Sequence, residues 1–201
     1  MFFLLQTVFM PLFKTTPELI VDEVFALYEL HGDEDYIGEP VSQLEHMSQA
    51  AALAQAEGYD NEVILAAFFH DIGHLCVAGE TESMDGMGNV DHEKLGADYL
   101  IGLGFSQRLA DLVQSHVIAK RYLTFKHPEY YEKLSPASRV TLGFQGGVMS
   151  AEEAAIFEEN ADADLMVRLR YWDDEAKQEH LPVNNIASLK QMAIDHLYRN
   201  L

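Results

Sequence analysis

Six residues in this chain have the types and the spread that metal chemistry asks for: His46, His70, Asp71, His92, His116 and Asp173. His70 and Asp71 are adjacent inside FFHDIGH, an apolar stretch in which an imidazole beside a carboxylate is costly unless the two are paired or bound to a cation. Neutral imidazole and carboxylate are both good ligands for first-row divalent metals. Four imidazoles and two carboxylates exceed what one tetrahedral zinc ion needs, and the set suits two ions with Asp71 between them. Number and spacing alone leave one ion and two ions both open.

These residues can meet only if separate elements carry them. Thr16-Pro17 opens a helix that runs to His31 and stops at Gly32, with Leu19, Val24, Leu27, Tyr28 and Leu30 at helical spacing. The pattern predicts further helices over Val41–Glu57, ending at Gly58, over Asn61–Leu75, apolar nearly all round and hence buried, and over Asp91–Leu103 behind a capping Asp91. Ser106–Thr124 follows. Ser135-Pro136 starts a helix that Gly146-Gly147 ends, Ser150 and Glu153 form a capping box, and Asp162–Lys177 and Ile186–Leu201 close the chain. No run alternates with period two, so the expected class is all-α, a single domain over residues 1–201. Five predicted helices each carry part of the ligand set.

Composition narrows what such a site acts on. With 201 residues and 48% apolar content the chain can bury one real core. A net charge of −20 repels nucleic acid and anionic membrane alike, and an obligatory protein partner is not evident. An anionic substrate must therefore meet locally placed cations, and Lys120, one turn beyond His116, and Arg170, one turn before Asp173, are placed to supply them. Ser138, Thr141 and Gln145 fall at i, i+3 and i+7, a stripe of hydrogen-bonding side chains on one helix face that suits an anionic group with several acceptor oxygens. Read singly, Ser138, Lys120 and Arg170 are equally well solvated surface residues, and Tyr36 a packing aromatic.

The lone Cys76 excludes an internal disulfide framework and fits a reducing cytosol as a small core residue, which gives cytoplasmic as the expected location. His31, His127, His180 and His196 stand outside the ligand pattern and are expected to face solvent. The apolar opening Met1–Phe13 is too short to span a bilayer and lacks a signal-peptide pattern; it packs on the domain, or Met10 is the true first residue.

H…HD…D on successive helices resembles the HD-domain superfamily, many members of which hydrolyse phosphate esters, and the two further histidines resemble its dinuclear branch. By that resemblance His46, His70, Asp71 and Asp173 hold one metal, while Asp71, His92 and His116 hold the other. The segment DYIGEP at 35–40 resembles the YxGE loop of the mixed-valence diiron HD oxygenases that act on hydroxyphosphonates. The likeness continues through HDIGH at 70–74, DHEKLGADYL at 91–100, GLGFS at 102–106, HVIAKRYL at 116–123 and FQGG at 144–147, so that it spans about residues 35–177.

The resemblance implies an HD-domain helical bundle with two irons, Fe(II)/Fe(III), and O2 as co-substrate. Tyr36 would cap the open iron and Glu39 would hold the cationic end of a small zwitterionic hydroxyphosphonate, with further acid nearby at Asp33, Glu34 and Asp35. His74, Lys120, Ser138, Thr141, Gln145 and Arg170 would contact the phosphonate. The implied reaction cleaves the C–P bond of 1-hydroxy-2-aminoethylphosphonate or its N-trimethylated analogue, releasing phosphate and glycine or glycine betaine. The rival readings are a metal-dependent HD phosphohydrolase, in which the YIGE loop has no obvious duty, and a non-catalytic HD scaffold, which would have no use for six intact ligands.

Overall fold

The computed structural model describes residues 16–36, 38–76, 84 and 90–200. The proposals about Met1–Phe13 lie outside them. Among the described residues there are ten α-helices and no named strand: α1 (Pro17–His31), α2 (Gln43–Ala56), α3 (Asn61–Phe69), α4 (His92–Gly102), α5 (Gln107–Lys126), α6 (Pro128–Lys133), α7 (Pro136–Phe144), α8 (Ala151–Glu158), α9 (Ala163–Glu175) and α10 (Ile186–Asn200). The all-α expectation holds.

Local chemistry fixes most boundaries. Thr16, Ser42, Asp60, Ser106, Ser135 and Ser150 each accept from a backbone N–H in the first turn of the helix that follows, satisfying donors the helix itself leaves over. The capping box expected at Ser150 and Glu153 forms, and an unexpected second one joins Ser42 and Glu45, so α2 begins two residues later than its apolar pattern suggested.

Two expectations fail in ways that matter to the site. The helix predicted over Asn61–Leu75 stops at Phe69; His70 and Asp71 form a turn, and a single 3-10 turn follows at Ile72–His74. At the break His70 Nδ1 donates to the Ala67 carbonyl at 2.8 Å. Asp91 does not cap α4 either. It adopts φ 59° with no side-chain cap bond, a left-handed conformation that aspartate tolerates better than most residues. The short α6 also went unforeseen, and it brings Tyr130 against α9.

One apolar cluster joins α1, α2, α3, α4, α5, α8, α9 and α10. Within it Phe25, Tyr28 and Phe68 stack, with ring centroids 4.6 Å apart for Tyr28 and Phe68, and Trp172 is fully buried one residue before Asp173. Helix α3 lies at the centre, its Val63–Phe69 all buried, which explains why no amphipathic stripe was legible there. Of the outlying histidines, His31 and His127 are half exposed and His180 is exposed. His196 is not: it is buried, stacks on Phe105, and its Nε2 accepts from the Ser106 N–H at 3.1 Å. Cys76 is half-buried against the core.

Candidate metal centre

The six expected ligands converge in the interior, each less than 5% exposed. Helix α2 supplies His46, the turn after α3 supplies His70 and Asp71, α4 opens on His92, α5 carries His116 and α9 carries Asp173. His46 and His70 bring their Nε2 atoms to 3.0 Å, and His92 and His116 do the same at 3.0 Å. Asp71 lies between the pairs. Its Oδ2 is 3.3 Å from His70 and 3.6 Å from His46, and its Oδ1 is 3.3 Å from His92 and 3.2 Å from His116. Asp173 Oδ1 joins the first pair at 3.4 Å from His46.

Ring orientation is set from behind. The Nδ1 atoms of His46, His70 and His116 lie 2.9, 2.8 and 3.0 Å from the carbonyls of Ala176, Ala67 and Val113. A carbonyl can only accept, so Nδ1 carries the proton and Nε2 of the neutral ring presents a lone pair to the centre. Arg170 does the equivalent for Asp173: its Nη1 donates to Oδ2 at 2.7 Å, while the buried Oδ1 accepts no hydrogen bond.

Lone pairs facing one another at 3 Å in a dry interior, beside an orphaned carboxylate oxygen, fit a cation between them. Donors bonded at about 2.1 Å to one first-row ion stand roughly 3.0–3.4 Å apart, the spacing found around Asp71 Oδ1, with His46 slightly farther from Oδ2 at 3.6 Å. Without an ion, a proton on His70 takes the place of a cation beside Asp71. Burial pushes the Asp71 carboxyl up, but the His70 charge and bonds from His116, His70 and His92 outweigh it and hold the group well below the carboxylate range. Burial likewise pulls His70 down, and Asp71 overrides it, raising the imidazole to about 9. A second grouping of metal-competent donors is Asp71, His74 and His92. His74, expected as a substrate contact, stacks on His92 with centroids 4.0 Å apart, and burial takes its imidazole down to about 3.

A cavity of about 230 Å³ opens over the centre, smaller than the roughly 300 Å³ lower bound for drug-sized ligands. On one side are Lys120, Ser138, Thr141, Gln145 and Arg170, all five expected from sequence. Lys120 Nζ donates to Thr141 Oγ1 at 3.0 Å, Arg170 Nη2 reaches Ser138 Oγ at 3.5 Å, and Gln145 Oε1 is buried without a partner. Burial, with Arg170 nearby, lowers Lys120 to about 7 despite Asp173, Asp174 and Asp71. Behind Arg170, Tyr130 and Asp174 complete a network: Arg170 Nε donates to Tyr130 Oη at 2.9 Å and Arg170 also binds Asp174.

Tyr36, Glu39 and Gln43 line the other side with Glu34 and Asp35. The turn holding them is closed by Glu39 N–H to the Tyr36 carbonyl at 2.9 Å and by Tyr36 N–H to the Val41 carbonyl at 2.9 Å, with Gly38 at φ 81°, where a side chain would strain the backbone. Tyr36 stacks on His46 at 4.0 Å and its hydroxyl bonds Asp71; burial, Asp71 and Asp173 push its ionisation well above 10. Two residues here were missed. Gln43, with a buried Oε1 that has no partner, precedes His46 by three positions on the same helix face, a spacing that was readable. Lys177, whose Nζ is 2.8 Å from Glu39 Oε1, gave no signal, because the contact spans 138 residues.

The chain is similar to several known proteins. Residues 43–141 match the HD domain. An uncharacterized protein of Acanthamoeba polyphaga mimivirus is 43% identical over 178 residues, 88% of this chain and 81% of that one. A [1-hydroxy-2-(trimethylamino)ethyl]phosphonate dioxygenase (glycine-betaine-forming) of Leisingera caerulea is 42% identical over 159 residues, 79% of this chain and 81% of that one. A hydroxymethylphosphonate dioxygenase of Gimesia maris is 38% identical over 172 residues, 85% of each chain.

Proposed function

The chain belongs to the HD-domain family, among its oxygenases, and from that footing we propose that it is a diiron dioxygenase that cleaves the C–P bond of a small 1-hydroxyphosphonate. The observation that carries this reading is one cavity whose floor is the split Asp71 carboxylate, with a histidine pair at each oxygen, and whose wall is an anion cradle. The compounds in view are 1-hydroxy-2-aminoethylphosphonate, its N-trimethylated analogue and hydroxymethylphosphonate.

In this reading His46, His70, Asp71 and Asp173 hold one iron, and Asp71, His92 and His116 the other. The irons, when bound, supply O2 activation and Lewis-acid binding of the substrate oxygens. Lys120, Arg170, Ser138, Thr141, Gln145 and His74 hold the phosphonate and orient C1 toward the centre. Tyr36, stacked on His46 and bonded to Asp71, covers the first pair until substrate displaces it, so access for O2 follows substrate binding. The phosphorus leaves as phosphate and C1 as a carboxylate; the substrate itself gives up the four electrons that O2 takes, so no external reductant is consumed.

The test is protein reconstituted with iron anaerobically, then exposed to O2 with each hydroxyphosphonate while oxygen uptake and phosphate are both recorded. Matched uptake and release are expected. Equal phosphate release from a phosphate ester with and without O2 would instead favour hydrolysis by the same centre.

A further inference from the structure

Resting on the proposed function, we infer that Lys177 is a built-in counter-cation that sets head-group choice, so that the preferred substrate is a 1-hydroxyphosphonate with no cationic substituent. A cationic head needs a free carboxylate, and a quaternary one, which has no N–H to donate, needs an open aromatic face as well. Both are taken in this cavity. Glu39 reaches it, but its Oε1 already accepts from Lys177 Nζ at 2.8 Å, with the two side chains only 9% and 15% exposed. Tyr36 lies flat on His46 until substrate displaces it, and its ring is already met by the same Lys177 ammonium, 5.8 Å from the centroid.

Lys177 is no wandering surface lysine. It follows Ala176, whose carbonyl takes the His46 Nδ1–H, and it precedes Gln178, whose N–H and carbonyl are both bonded by the Gln49 amide at 3.0 and 2.9 Å. The backbone on either side is thus fixed to α2, and the side chain is aimed at Glu39. The other acids at the mouth substitute poorly: Glu34 and Asp35 are exposed, and Glu34 is bonded to His31. What the pocket keeps for a small head is neutral, the partnerless Oε1 of Gln43, which suits a hydroxyl or a water and finds no donor in a trimethylammonium group.

The experiment is anaerobic calorimetric binding to the iron-reconstituted protein of three probes: hydroxymethylphosphonate, 2-amino-1-hydroxyethylphosphonate and its N-trimethyl analogue. Wild type is expected to bind the first at least about tenfold more tightly than the third. Lys177→Met, which keeps the stem and removes the charge, should move that ratio by about tenfold toward the cationic probes, and Lys177→Arg should preserve it. A wild type that favours the trimethylated probe overturns the inference by itself, whether or not the Met variant folds; an unmoved ratio in a folded Met variant also overturns it. Oxygen uptake is read separately. Binding without turnover of any probe would sink the oxygenase reading while the affinity ratios still decide the role of Lys177, and absence of all binding would sink both.

Discussion

Lys120 shows how far a single residue could be understood before the structure. Its place one turn beyond His116 marked it as a candidate cation, but not that its ammonium would be buried against Arg170 and lowered to about 7. That shift makes a prediction. At pH 8 most of the lysine is neutral, and a phosphonate dianion entering the cradle restores the charged form, so binding should take up a proton. Calorimetry in two buffers of different ionisation enthalpy should find uptake approaching one proton in wild type and none with Lys120→Arg, because arginine stays charged throughout. Uptake should fade below pH 7, where the lysine already holds its proton. The candidate ligands His70 and Asp71 were legible because an imidazole beside a carboxylate in an apolar stretch is conspicuous, while His46, His92, His116 and Asp173 were gathered by the HD resemblance. Lys177 was not legible, since it lies just past the end of α9 and only the fold reveals that it faces Glu39, whereas Gln43 was overlooked although its spacing from His46 was readable.

Helices were legible where caps announced them and obscure where tertiary contact overrode them. The break at His70 and Asp71 is the main case: residues 61–75 carry continuous apolar character, so nothing local says stop, yet the turn is what lets one carboxylate face two histidine pairs. Gly73 shows what holds the turn. A Cβ there would sit 1.8 Å from the His92 carbonyl oxygen and 2.9 Å from the Gly96 nitrogen, both backbone atoms that cannot step aside. Gly73→Ala should therefore cost at least about 1–3 kcal/mol and push α4 away. Thermal melting should fall by several degrees, and bound iron should drop toward one per chain as His92 leaves Asp71. Gly143→Ala in α7, where nothing lies within 4 Å, is the contrast: it should gain up to about 1 kcal/mol of helix propensity and leave iron content alone.

For the whole molecule the ligand count becomes a matter of stability. Five separate segments deliver donors to one interior point, so an ion there cross-links the bundle. At a metal concentration about a hundredfold above its dissociation constant, linkage contributes about 2.7 kcal/mol. At roughly 2–4 °C per kcal/mol for a chain of this size, chelation should lower the melting temperature by about 5–11 °C, and scanning calorimetry with and without chelator measures it. No change would mean that the donors satisfy one another without metal. The all-helical class followed from periodicity, and the candidate ligand set from residue type together with the HD resemblance. The anionic balance of −20 gave no hint that the cations lining the cavity, Lys120 and Arg170, are inside.

The backbone carbonyls behind His46, His70 and His116 have a consequence for how such a chain can diverge. A carbonyl is the one acceptor that substitution cannot remove, so mutation drifts past Ala176, Ala67 and Val113 without disturbing which nitrogen faces the metals. The cavity walls are built from side chains instead, and each is open to exchange one codon at a time. Heritable variation can therefore reach the choice of substrate while the orientation of the histidines stays out of its reach.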